Sequence, residues 1–494
     1  MRRIVRFLRS IVLATLAVVI VLGAVVAFRT LTMTSRQLQV APLPPIAIDA
    51  QTAAERLGAA IRFPTISNLL NPEQSADAFR GMHAHMQASF PAFHAATKRE
   101  TIGNYGLLYA WQGSDPAARP IALLAHQDVV PIAPGTEGDW QAPPFGGVVR
   151  DGFIWGRGSW DDKGGLFAIL EAAEMLAKQG FRPKRTIYFA FGHDEEVGGH
   201  RGAKAIAELF KSRGIKLEYV FDEGMLIAEG VLKGMDKPMA LIGVAEKGFV
   251  TLTLNATATP GHSSLPPRET AIGIMSAALA RLEDKRMPAE IRGASREMFE
   301  TIAPEMRLLN RIILSNLWLF EPVLKRELEK TPAAQASMRT TTALTVFNAG
   351  NQENVLPGQA SATVNFRLLP GDTEAGVIDH VRKVIGNAKV AIQPSPGNSE
   401  PPPVSTTRSA GYQALNKTLR EVFPDAVVAP TLMLAATDSR HYAGVADNIF
   451  RFLPVRAKND DLSRFHGTNE RISIDNYLEM IRFYRRFLET AAAP

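Results

Sequence analysis

Three consecutive carboxylates follow an apolar run in the segment FAFGHDEEVGG, residues 189–199. Asp194, Glu195 and Glu196 repel one another, and a requirement for solubility alone would rarely place such a triplet at the end of a buried strand. A positive charge opposite them would relieve the repulsion. A bound metal cation is one source of that charge, because carboxylates are common metal ligands in proteins.

Further side chains of the metal-ligand type stand at the ends of other apolar runs. Each of them alone is also compatible with a solvated loop charge or a helix N-cap. If the runs form parallel strands, their carboxyl ends meet at one edge of the sheet, and the side chains converge there. These candidates are His126, Asp161, Asp222 and His466.

His126 belongs to an HxD pair at the end of PIALLAHQD, residues 120–128. Alternate residues of a strand point the same way, so Asp128 can orient the imidazole and fix its tautomer. Such a pair is weak evidence when it stands alone. Beside the other candidates, it indicates a metal ligand with its supporting carboxylate.

Charge balance favours two divalent cations at this edge. Two Zn²⁺ ions bring four positive charges, which Asp161, Glu196, Asp222 and one bound hydroxide match when both imidazoles are neutral. Glu195 is left over, and an unliganded carboxylate beside a metal-bound water is what a general base requires. The chain has no cysteine, which excludes disulfides, thiolate ligands and a thiol nucleophile.

The elements that position these residues follow an α/β pattern. Apolar runs that end in charge or in a turn alternate with amphipathic helical segments, which predicts a mainly parallel sheet. Residues 246–395 differ, because their alternating pattern and two helical segments predict an inserted α+β unit on an antiparallel sheet. Within it, residues 286–340 form a mostly helical addition. Its apolar face either packs on its own lobe or forms a lipid-facing or substrate-lining surface.

The N-terminal segment is built differently from the rest. Residues 10–28 carry no charge and are long enough to cross a bilayer as a helix, and four arginines precede them. This favours a single-pass anchor with the catalytic part on the extracytoplasmic side, which is periplasmic, extracellular or lumenal. A cleaved signal peptide is the alternative. Residues 29–48, which end in APLPPIAI, predict a tether away from the membrane.

The chain of 494 residues therefore divides into four predicted parts. They are residues 1–48, with a cytoplasmic tail, the transmembrane anchor at about 10–28 and a linker; residues 49–245, the first part of the catalytic domain; residues 246–395, an inserted lid and dimerisation domain; and residues 396–494, the second part of the catalytic domain.

Nucleic acid is not an expected partner. The net charge of +6 comes mostly from the N-terminal segment, since removing five arginines leaves 50 basic residues against 49 acidic ones. The five are Arg2, Arg3, Arg6, Arg9 and Arg29.

Eight motifs resemble the di-zinc amidohydrolase and metallopeptidase family of aminoacylase, carboxypeptidase G and carnosinase. They are AHQDVVP, WGRGSWDDKGG, GHDEEVGG, FDEG, TPGHSSLPP, NVLPG, TDSRHY and RFHGTNERIS. The likeness covers the chain from about residue 50 to 490. TDSRHY, the helical addition and HGTNERIS are most similar to the branch of carboxypeptidase S and N-fatty-acyl-amino-acid hydrolases.

The resemblance implies two Zn²⁺ ions per chain, for which Mn²⁺ or Co²⁺ could substitute because nitrogen and oxygen ligands discriminate poorly among them. It also implies a catalytic base, Glu195, and a cis peptide bond between Asp161 and Asp162. The implied ligands are Asp161 as the bridge, His126 with Asp222 at one site, and Glu196 with His466 at the other.

The resemblance implies further roles at the substrate. His262 of TPGHSSLPP matches the lid histidine that donates to the oxyanion, and in dimeric relatives this histidine reaches the neighbouring subunit's site. Arg440, Arg367 and Asn354 are candidates to bind a free carboxylate, although arginines end many strands without such a role. His83 and His85 form an HxH whose spacing on a helix points them to different faces, and both are expected at the surface.

Together these features predict a membrane-tethered, zinc-dependent hydrolase. It would cleave an amide bond next to a free carboxylate, in N-acyl amino acids, including fatty-acyl ones, or at the C-terminal residues of small peptides. A dipeptidase with the same mechanism is the first alternative, although no carboxylate outside the metal set is evident for a free amino group. A catalytically inactive binding ectodomain is the second. A homodimer through the lid domain is the expected protein partner.

Overall fold

The computed structural model describes residues 2–492. The α-helices of this part are α1 (Arg2–Thr32), α2 (Ala50–Ile61), α3 (Ala76–Ser89), α4 (Pro91–Ala96), α5 (Lys163–Lys178), α6 (Ala203–Ser212), α7 (Ala271–Asp284), α8 (Gly293–Ile302), α9 (Leu308–Ser315), α10 (Leu317–Leu328), α11 (Pro332–Ala336), α12 (Glu374–Ile385), α13 (Ala410–Val422), α14 (Asn459–Leu462) and α15 (Ile474–Ala491).

The strands of the same residues are β1 (Lys98–Ile102), β2 (Gly106–Trp111), β3 (Ile121–His126), β4 (Val148–Arg150), β5 (Phe153–Trp155), β6 (Ile187–Gly192), β7 (Leu217–Asp222), β8 (Ile227–Ala228), β9 (Met239–Glu246), β10 (Gly248–Thr257), β11 (Gly261–His262), β12 (Thr341–Ala349), β13 (Val355–Leu356), β14 (Gln359–Leu368), β15 (Val390–Pro394), β16 (Val427–Met433), β17 (Ala446–Arg451), β18 (Arg456–Ala457) and β19 (Arg471–Ser473).

The large sheet is mixed rather than mainly parallel. Its order is β1–β2–β6–β3–β7–β17–β9–β8–β18, with β16 on β9. The four strands from β6 to β17 are parallel to one another, whereas β2 and β9 join them antiparallel. The prediction of a mainly parallel sheet was wrong at these flanks. A continuous apolar run shows that a strand is buried on both faces, but not which direction its neighbour takes.

Helices cover both faces of the large sheet. On one face, α5 packs against α15, and α13 packs beside them over aromatic residues such as Phe221 and Phe450. On the other face, α6 buries Ile206 and Phe210 against Leu108 and neighbouring strand residues. The sheet edge that carries the predicted ligands is thus held between two packed layers.

A second sheet contains the alternating segments. Its order is β12–β14–β10–β15, and all of its pairs are antiparallel. Residues of β10 alternate strictly between buried and partly exposed, because α7 and α12 cover one face of the sheet and leave the other open. The chain enters this unit directly from β9 through Lys247 and leaves it after β15.

The first interpretation expected the helical addition at residues 286–340 to pack on its own lobe. Its helices instead pack mainly on the large sheet and on α1. Helix α8 lies against β16 of the large sheet, and α9 lies against α1. Phe299 and Ile302 are buried with Met239 and Val427 in one cluster. The apolar spacing of these helices indicated a buried face, but the partner is distant in sequence and could not be read from that spacing.

Helix α1 is long and apolar enough to cross a membrane, with a mean hydropathy of 3.0 in its most apolar window. The segment after it does not extend away from the body, as a tether would. Gln37 exchanges two hydrogen bonds with the backbone of Val428, at 2.9 and 2.7 Å. Further along, the N–H of Leu43 donates to the carbonyl of Glu421 at 2.7 Å. Proline content suggested an extended chain, but did not show that the chain lies along α13 and β16.

Candidate metal centre

Three adjacent parallel strands end at one edge of the large sheet, and each delivers polar side chains there. His126 is the last residue of β3, and Asp222 is the last residue of β7. Strand β6 lies on the other side of β3 and leads into a 3₁₀ turn that contains Glu195 and Glu196. Asp161 comes from the turn before α5, so four segments of the chain converge on this edge.

Asp161 lies between two histidines. Its Oδ1 is 2.8 Å from Nε2 of His126, and its Oδ2 is 2.8 Å from Nε2 of His466. The contact with His466 brings together the turn before α5 and the loop before β19, which are far apart in the sequence. The Asp161–Asp162 peptide bond is cis, as the resemblance implied. A carboxylate that faces two imidazoles is suited to being a ligand shared by two cations.

Glu196 completes a compact set of ligand atoms. Its Oε1 lies 3.4 Å from Nε2 of His466, and this buried oxygen has no hydrogen-bond partner within residues 2–492. The ligand atoms of His126, Asp161 and Glu196 all lie within 4.8 Å of one another. Nitrogen and oxygen donors at this spacing fit a divalent cation such as Zn²⁺.

Asp222 is buried at the same edge, but its carboxylate is held by backbone groups. Oδ1 accepts a hydrogen bond from the N–H of Glu223 at 3.0 Å, and Oδ2 accepts one from the N–H of Ser439 at 2.9 Å. Asp222 is not part of the set of atoms within 4.8 Å. Each oxygen keeps a second lone pair, so the carboxylate can still act as a ligand.

Asp128 organises this edge more extensively than the HxD pattern indicated. The imidazole of His126 donates from Nδ1 to the backbone carbonyl of Asp128 at 3.0 Å, and the side-chain Oδ1 lies 3.4 Å from the same nitrogen. Because a carbonyl can only accept, Nδ1 carries a proton and Nε2 is the atom that faces Asp161. The carboxylate also accepts from the N–H groups of Glu195 and Glu196, both at 3.1 Å, and from Ser67 at 2.6 Å.

The two histidines hold protons strongly. The hydrogen bond to Asp161 and the nearby carboxylate of Glu196 raise the pKa of His466 to about 10. Burial opposes the charged form of His126, but Asp161 and Asp128 outweigh it and raise its pKa well above the ordinary range. A group of carboxylates that favours positive charge on two imidazoles also favours divalent cations, which bind the imidazoles in their neutral form.

Within residues 2–492, Glu195 differs from Glu196 in having no hydrogen bond or ion pair with His126 or His466. Burial raises the pKa of its carboxyl group well above the usual range, and the carboxylates of Asp438 and Glu196 add to the effect against the opposing influence of His126. A carboxyl group that is buried among ligands without being one of them can accept and return a proton during a reaction.

Asp438 is a buried carboxylate that the sequence reasoning missed. Burial and the nearby charges of Asp222 and Asp128 raise its pKa well above the usual range. Glycine leaves room for this carboxylate, because a Cβ at Gly199, where φ is +68°, would collide with its Oδ1. Its position in TDSRHY was a signal that could have identified it, since only the arginine of that motif was considered.

Glu470 is a second residue that was missed, although it lies within the motif RFHGTNERIS. It is fully buried, and its Oε1 accepts the N–H groups of Gly158 and Trp160 at 2.9 and 3.0 Å. Its Oε2 pairs with Arg157 at 2.5 Å. Arg157 in turn donates to the carbonyl of His466 at 3.1 Å. This buried pair therefore ties the turn of Asp161 to the loop of His466.

Arg440 lies in the 3₁₀ turn Asp438–Tyr442, whereas Arg367 lies in a strand of the second sheet. Arg440 donates from Nη2 to the carbonyl of Gly198 at 2.9 Å, two residues after Glu196. Arg367 belongs to β14 and lies over the ring of Phe249, 4.8 Å from its centroid. Burial lowers the pKa of Arg367, and the charge of Arg440 adds to the effect. An anion that neutralises either guanidinium group would be favoured.

His262 and Asn354 also lie together, but away from the ligands. His262 pairs with Val355 in the β11–β13 ribbon, and the N–H of Ser263 donates to the carbonyl of Asn354 at 3.1 Å. The imidazole is exposed, and its side-chain hydrogen bond goes to Ser264 at 2.8 Å. Within residues 2–492 none of its hydrogen bonds reaches the histidine and carboxylate cluster.

The expectation that His83 and His85 lie at the surface was wrong for His83. Its side chain is buried, and Nε2 donates to Oε1 of Gln127 at 2.6 Å. His85 is partly covered, donates to the carbonyl of Arg56 at 2.9 Å and stacks on Phe167. Spacing on a helix separates two side chains, but helix α3 has neighbours on both of these faces.

The fold and this centre together define a hydrolase of the metallopeptidase class. A mixed α/β sheet presents histidines and carboxylates that could hold a metal ion along one edge, with the further carboxylate of Glu195 among them. The chain belongs to the peptidase family M20/M25/M40, whose model matches residues 122–490. This membership confirms the resemblance drawn from the motifs.

Curated relatives resemble the chain over most of its length. Probable carboxypeptidase S-like 2 of Dictyostelium discoideum is 44% identical, over 93% of this chain and 90% of the relative. The N-fatty-acyl-amino acid synthase/hydrolase PM20D1 of Xenopus tropicalis is also 44% identical, over 88% of this chain and 85% of the relative. Carboxypeptidase S of Saccharomyces cerevisiae is 29% identical, over 88% and 84%.

Solved structures share the fold at lower identity. The metallo-carboxypeptidase Sso-CP2 of Sulfolobus solfataricus has a TM-score of 0.63 at 17% identity and covers 91% of this chain and all of its own. Human carnosine dipeptidase 1 has a TM-score of 0.61 at 16% identity, with the same coverage.

Proposed function

We propose that this protein hydrolyses an amide bond next to a free carboxylate, in N-acyl amino acids, including fatty-acyl ones, or at the C-terminal residue of small peptides. The observation that carries the proposal is the position of Asp161, whose two oxygens face different histidines while Glu195 stays outside the ligand set. The relatives named for carboxypeptidase S and for N-fatty-acyl-amino acid hydrolysis support this substrate class.

Two divalent cations, Zn²⁺ first and Mn²⁺ or Co²⁺ as substitutes, fit the donor set. Glu196 offers a buried oxygen without a partner, and every donor is a nitrogen or a carboxylate oxygen. When bound, such cations supply Lewis acidity toward the substrate carbonyl and make water more acidic. Asp161 would be shared, with His126 and Asp222 holding one cation and Glu196 and His466 holding the other.

Glu195 is the proposed general base. It takes a proton from the attacking water and then donates it to the nitrogen of the departing amine, so that the C–N bond breaks with a neutral leaving group. The Asp128 carboxylate holds the backbone of Glu195 and of Glu196, so the base and a ligand are positioned by one group. A base fixed in this way needs little reorganisation during the reaction.

Arg440 and Arg367 are the proposed partners of the free carboxylate. Arg440 lies in a turn beside the large sheet and Arg367 lies in the second sheet, so a substrate anion bound by both would also join the two parts of the molecule. Asn354 is a further polar candidate, but it lies beside His262 on the β11–β13 ribbon. Their hydrogen bonds stay within this ribbon and do not reach the metal centre of the same chain within residues 2–492.

We propose that His262 and Asn354 reach the metal centre of a second copy of the chain. Strand β12 is an edge of the second sheet, and Val346 and Phe347 on it are exposed. An edge strand with exposed apolar residues is suited to pairing with another copy. In such a homodimer, residues 246–395 act as a lid, and His262 donates to the oxyanion at the partner's centre.

We further propose that α1 anchors the protein as a single-pass helix, with residues 49–245 and 396–494 forming the catalytic domain on the extracytoplasmic side. The length and hydropathy of α1 and the preceding arginines support this assignment. An acyl chain that partitions into the membrane would be supplied to the enzyme there.

The test is hydrolysis of a substrate panel by the full-length protein loaded with Zn²⁺. N-acyl amino acids of varied chain length should be cleaved with release of the amino acid, and Glu195→Gln should keep its metal while losing activity by a factor of about 10²–10⁴. A strong preference for dipeptides would favour the dipeptidase. Tight metal binding without hydrolysis of any amide would favour a binding ectodomain and overturn the proposal.

A further inference from the structure

Two short helices beside α1 carry a group of exposed apolar side chains that no part of the described chain covers. Helices α9 and α10 follow each other with one residue between them. Leu308 and Leu309 are each 70% exposed, and Trp318 is 50% exposed. The complete group, called the apolar patch below, is Leu308, Leu309, Trp318, Leu319 and Val323. An exposed cluster of this kind usually meets another surface.

The body contacts α1 at the level of this patch. Asn316, between the two helices, donates to Thr30 Oγ1 at 3.0 Å and to the carbonyl of Val26 at 3.4 Å. Arg311 of α9 donates to the carbonyls of Thr30 and Met33 at 3.2 and 3.0 Å. These hydrogen bonds attach α9 and the residue before α10 to the last turns of α1, and they hold α1 against both helices.

The covered face of α1 extends into its uncharged run. Leu22, Val26 and Thr30 lie on one helical face and are partly or fully covered, whereas Gly23, Ala24 and Val25 are exposed. Six residues separate Leu22 from Phe28, the last residue of the uncharged run, which corresponds to about 9 Å along the axis. The body therefore covers one face of α1 over about the last two turns of the uncharged run.

We propose that the apolar patch inserts into the outer layer of the same lipid bilayer that α1 crosses, so that the body rests on the membrane surface. This inference rests on the proposed anchor. If the uncharged run fills the hydrocarbon core, residues at the level of Val26 lie at the boundary between acyl chains and headgroups. Leucine and tryptophan side chains are favourable at that depth, and tryptophan is enriched there.

The segment after α1 supports the same arrangement. A protein held away from the membrane needs a free linker, but Gln37 and Leu43 bind this linker to β16 and α13. Arg29 and Arg311, at the exit of α1, place positive charge where lipid phosphates would lie. The body is consequently fixed in one orientation relative to α1, with the patch beside it.

The absence of cysteine allows a direct test with single-cysteine variants of the full-length protein. Leu309→Cys, Leu16→Cys and Leu70→Cys are each labelled with an environment-sensitive nitrobenzoxadiazole dye and reconstituted in vesicles of phosphatidylethanolamine and phosphatidylglycerol. Leu16 lies in the proposed span. Leu70 is the matched control, since it is 93% exposed and lies near β1 and β2, at the opposite end of the large sheet from β16.

We expect lipids with a spin label on the acyl chain to quench most of the emission at positions 16 and 309, and little of it at position 70. Quenching at 16 with none at 309 would overturn the docking surface and leave the anchor intact. Quenching at 309 without quenching at 16 would overturn the anchor and support the patch as a lipid contact of its own.

A second variant separates docking from folding. Leu308→Asp with Leu309→Asp should leave hydrolysis of a short, water-soluble N-acyl amino acid unchanged, because neither residue is near the metal centre. In the same variant, dye at Trp318→Cys should lose most of its quenching by the labelled lipids. Unchanged quenching at position 318 would contradict the proposal.

Discussion

The carboxylate of Asp128 lies 3.1 Å from the backbone nitrogen of Glu195 and accepts its N–H. The other oxygen of the same carboxylate accepts the N–H of Glu196 at the same distance. Because the backbone carbonyl of Asp128 also accepts from His126, this residue positions a proposed ligand on one strand and the turn of the base on the next. It has this effect without belonging to the ligand set itself.

The substitution Asp128→Asn should therefore weaken the centre while the protein stays folded. An amide has one acceptor oxygen in place of two, and its NH₂ group would face an N–H. We expect a loss of about 10–100-fold in Zn²⁺ affinity or in kcat/KM, measured by chelator competition and by hydrolysis of an N-acyl amino acid. Asp77→Asn is the matched control, since Asp77 is exposed on α3. Equal values for both variants would contradict this role.

Glu470→Gln should reduce stability more than any change in a surface pair. It leaves Arg157 buried without its counter-charge, and breaking a buried ion pair costs about 3–5 kcal/mol. Chemical denaturation of the full-length protein in detergent measures the change. Asp379→Asn, in the exposed pair with Arg382, should cost about 0–1 kcal/mol. If Glu470→Gln also cost only about 0–1 kcal/mol, the pair of Arg157 and Glu470 would not hold the two loops together.

Arg440→Met should affect substrates with a free carboxylate selectively. Hydrogen bonds to a charged group contribute about 1.5–3 kcal/mol, so kcat/KM should fall by about 10–100-fold, with most of the change in KM. The methyl ester of the same N-acyl amino acid lacks the anion and should show a smaller change. The metal content of the variant controls for the bond to Gly198. An equal loss on acid and ester would assign Arg440 to structure alone.

His262→Asn should inactivate the enzyme in a way that another copy can repair. If the lid of one subunit serves the centre of the other, a dimer of His262→Asn with Glu195→Gln contains one intact site. Coexpression should then restore about one quarter of the wild-type activity, because random pairing makes half of the dimers mixed. Activity no higher than that of the separate variants would show that His262 does not act across a dimer.

His83 should contribute to the acid sensitivity of the fold. Burial lowers its pKa from 6.5 to about 4, with the bond to Gln127 opposing the shift. As the pH falls from 6.5 to about 4, the unfolded chain takes up a proton that the folded chain does not, so stability is lost across this window. The slope from this group reaches about 1.4 kcal/mol per pH unit.

The substitution His83→Asn should flatten the pH dependence of the unfolding midpoint between pH 6.5 and about 4. Thermal unfolding of the full-length protein in detergent measures it. His200→Asn, at an exposed histidine, is the control and should leave the slope as in the wild type. If the slope of the unfolding midpoint against pH decreased equally in both variants, groups other than His83 would set the acid sensitivity.

The sequence predicted the elements that carry the metal centre because their signal is local. The apolar runs that become β3, β6 and β7 each end in charge, and parallel strands bring such ends together. His126 and Glu196 could be identified in this way before their distances were known, whereas Asp161 comes from the turn before α5.

The remaining features depend on partners that are distant in the chain. Asp438 and Glu470 look like ordinary loop acids until the fold buries them against Asp222 and Arg157. The packing of α8 on β16 and of the linker on α13 has no local pattern either. Strand direction at the flanks of the large sheet is a property of chain topology, which apolar periodicity does not encode.

The link between Glu470 and the turn of Asp161 has a consequence for biosynthesis. Four of the five proposed ligands are synthesised before the second sheet, while His466 and the carboxylate that supports its loop follow only after it. A nascent chain that has not yet reached Glu470 can therefore present at most an incomplete site. Full metal loading has to wait until this later segment has been made and has folded onto the turn of Asp161.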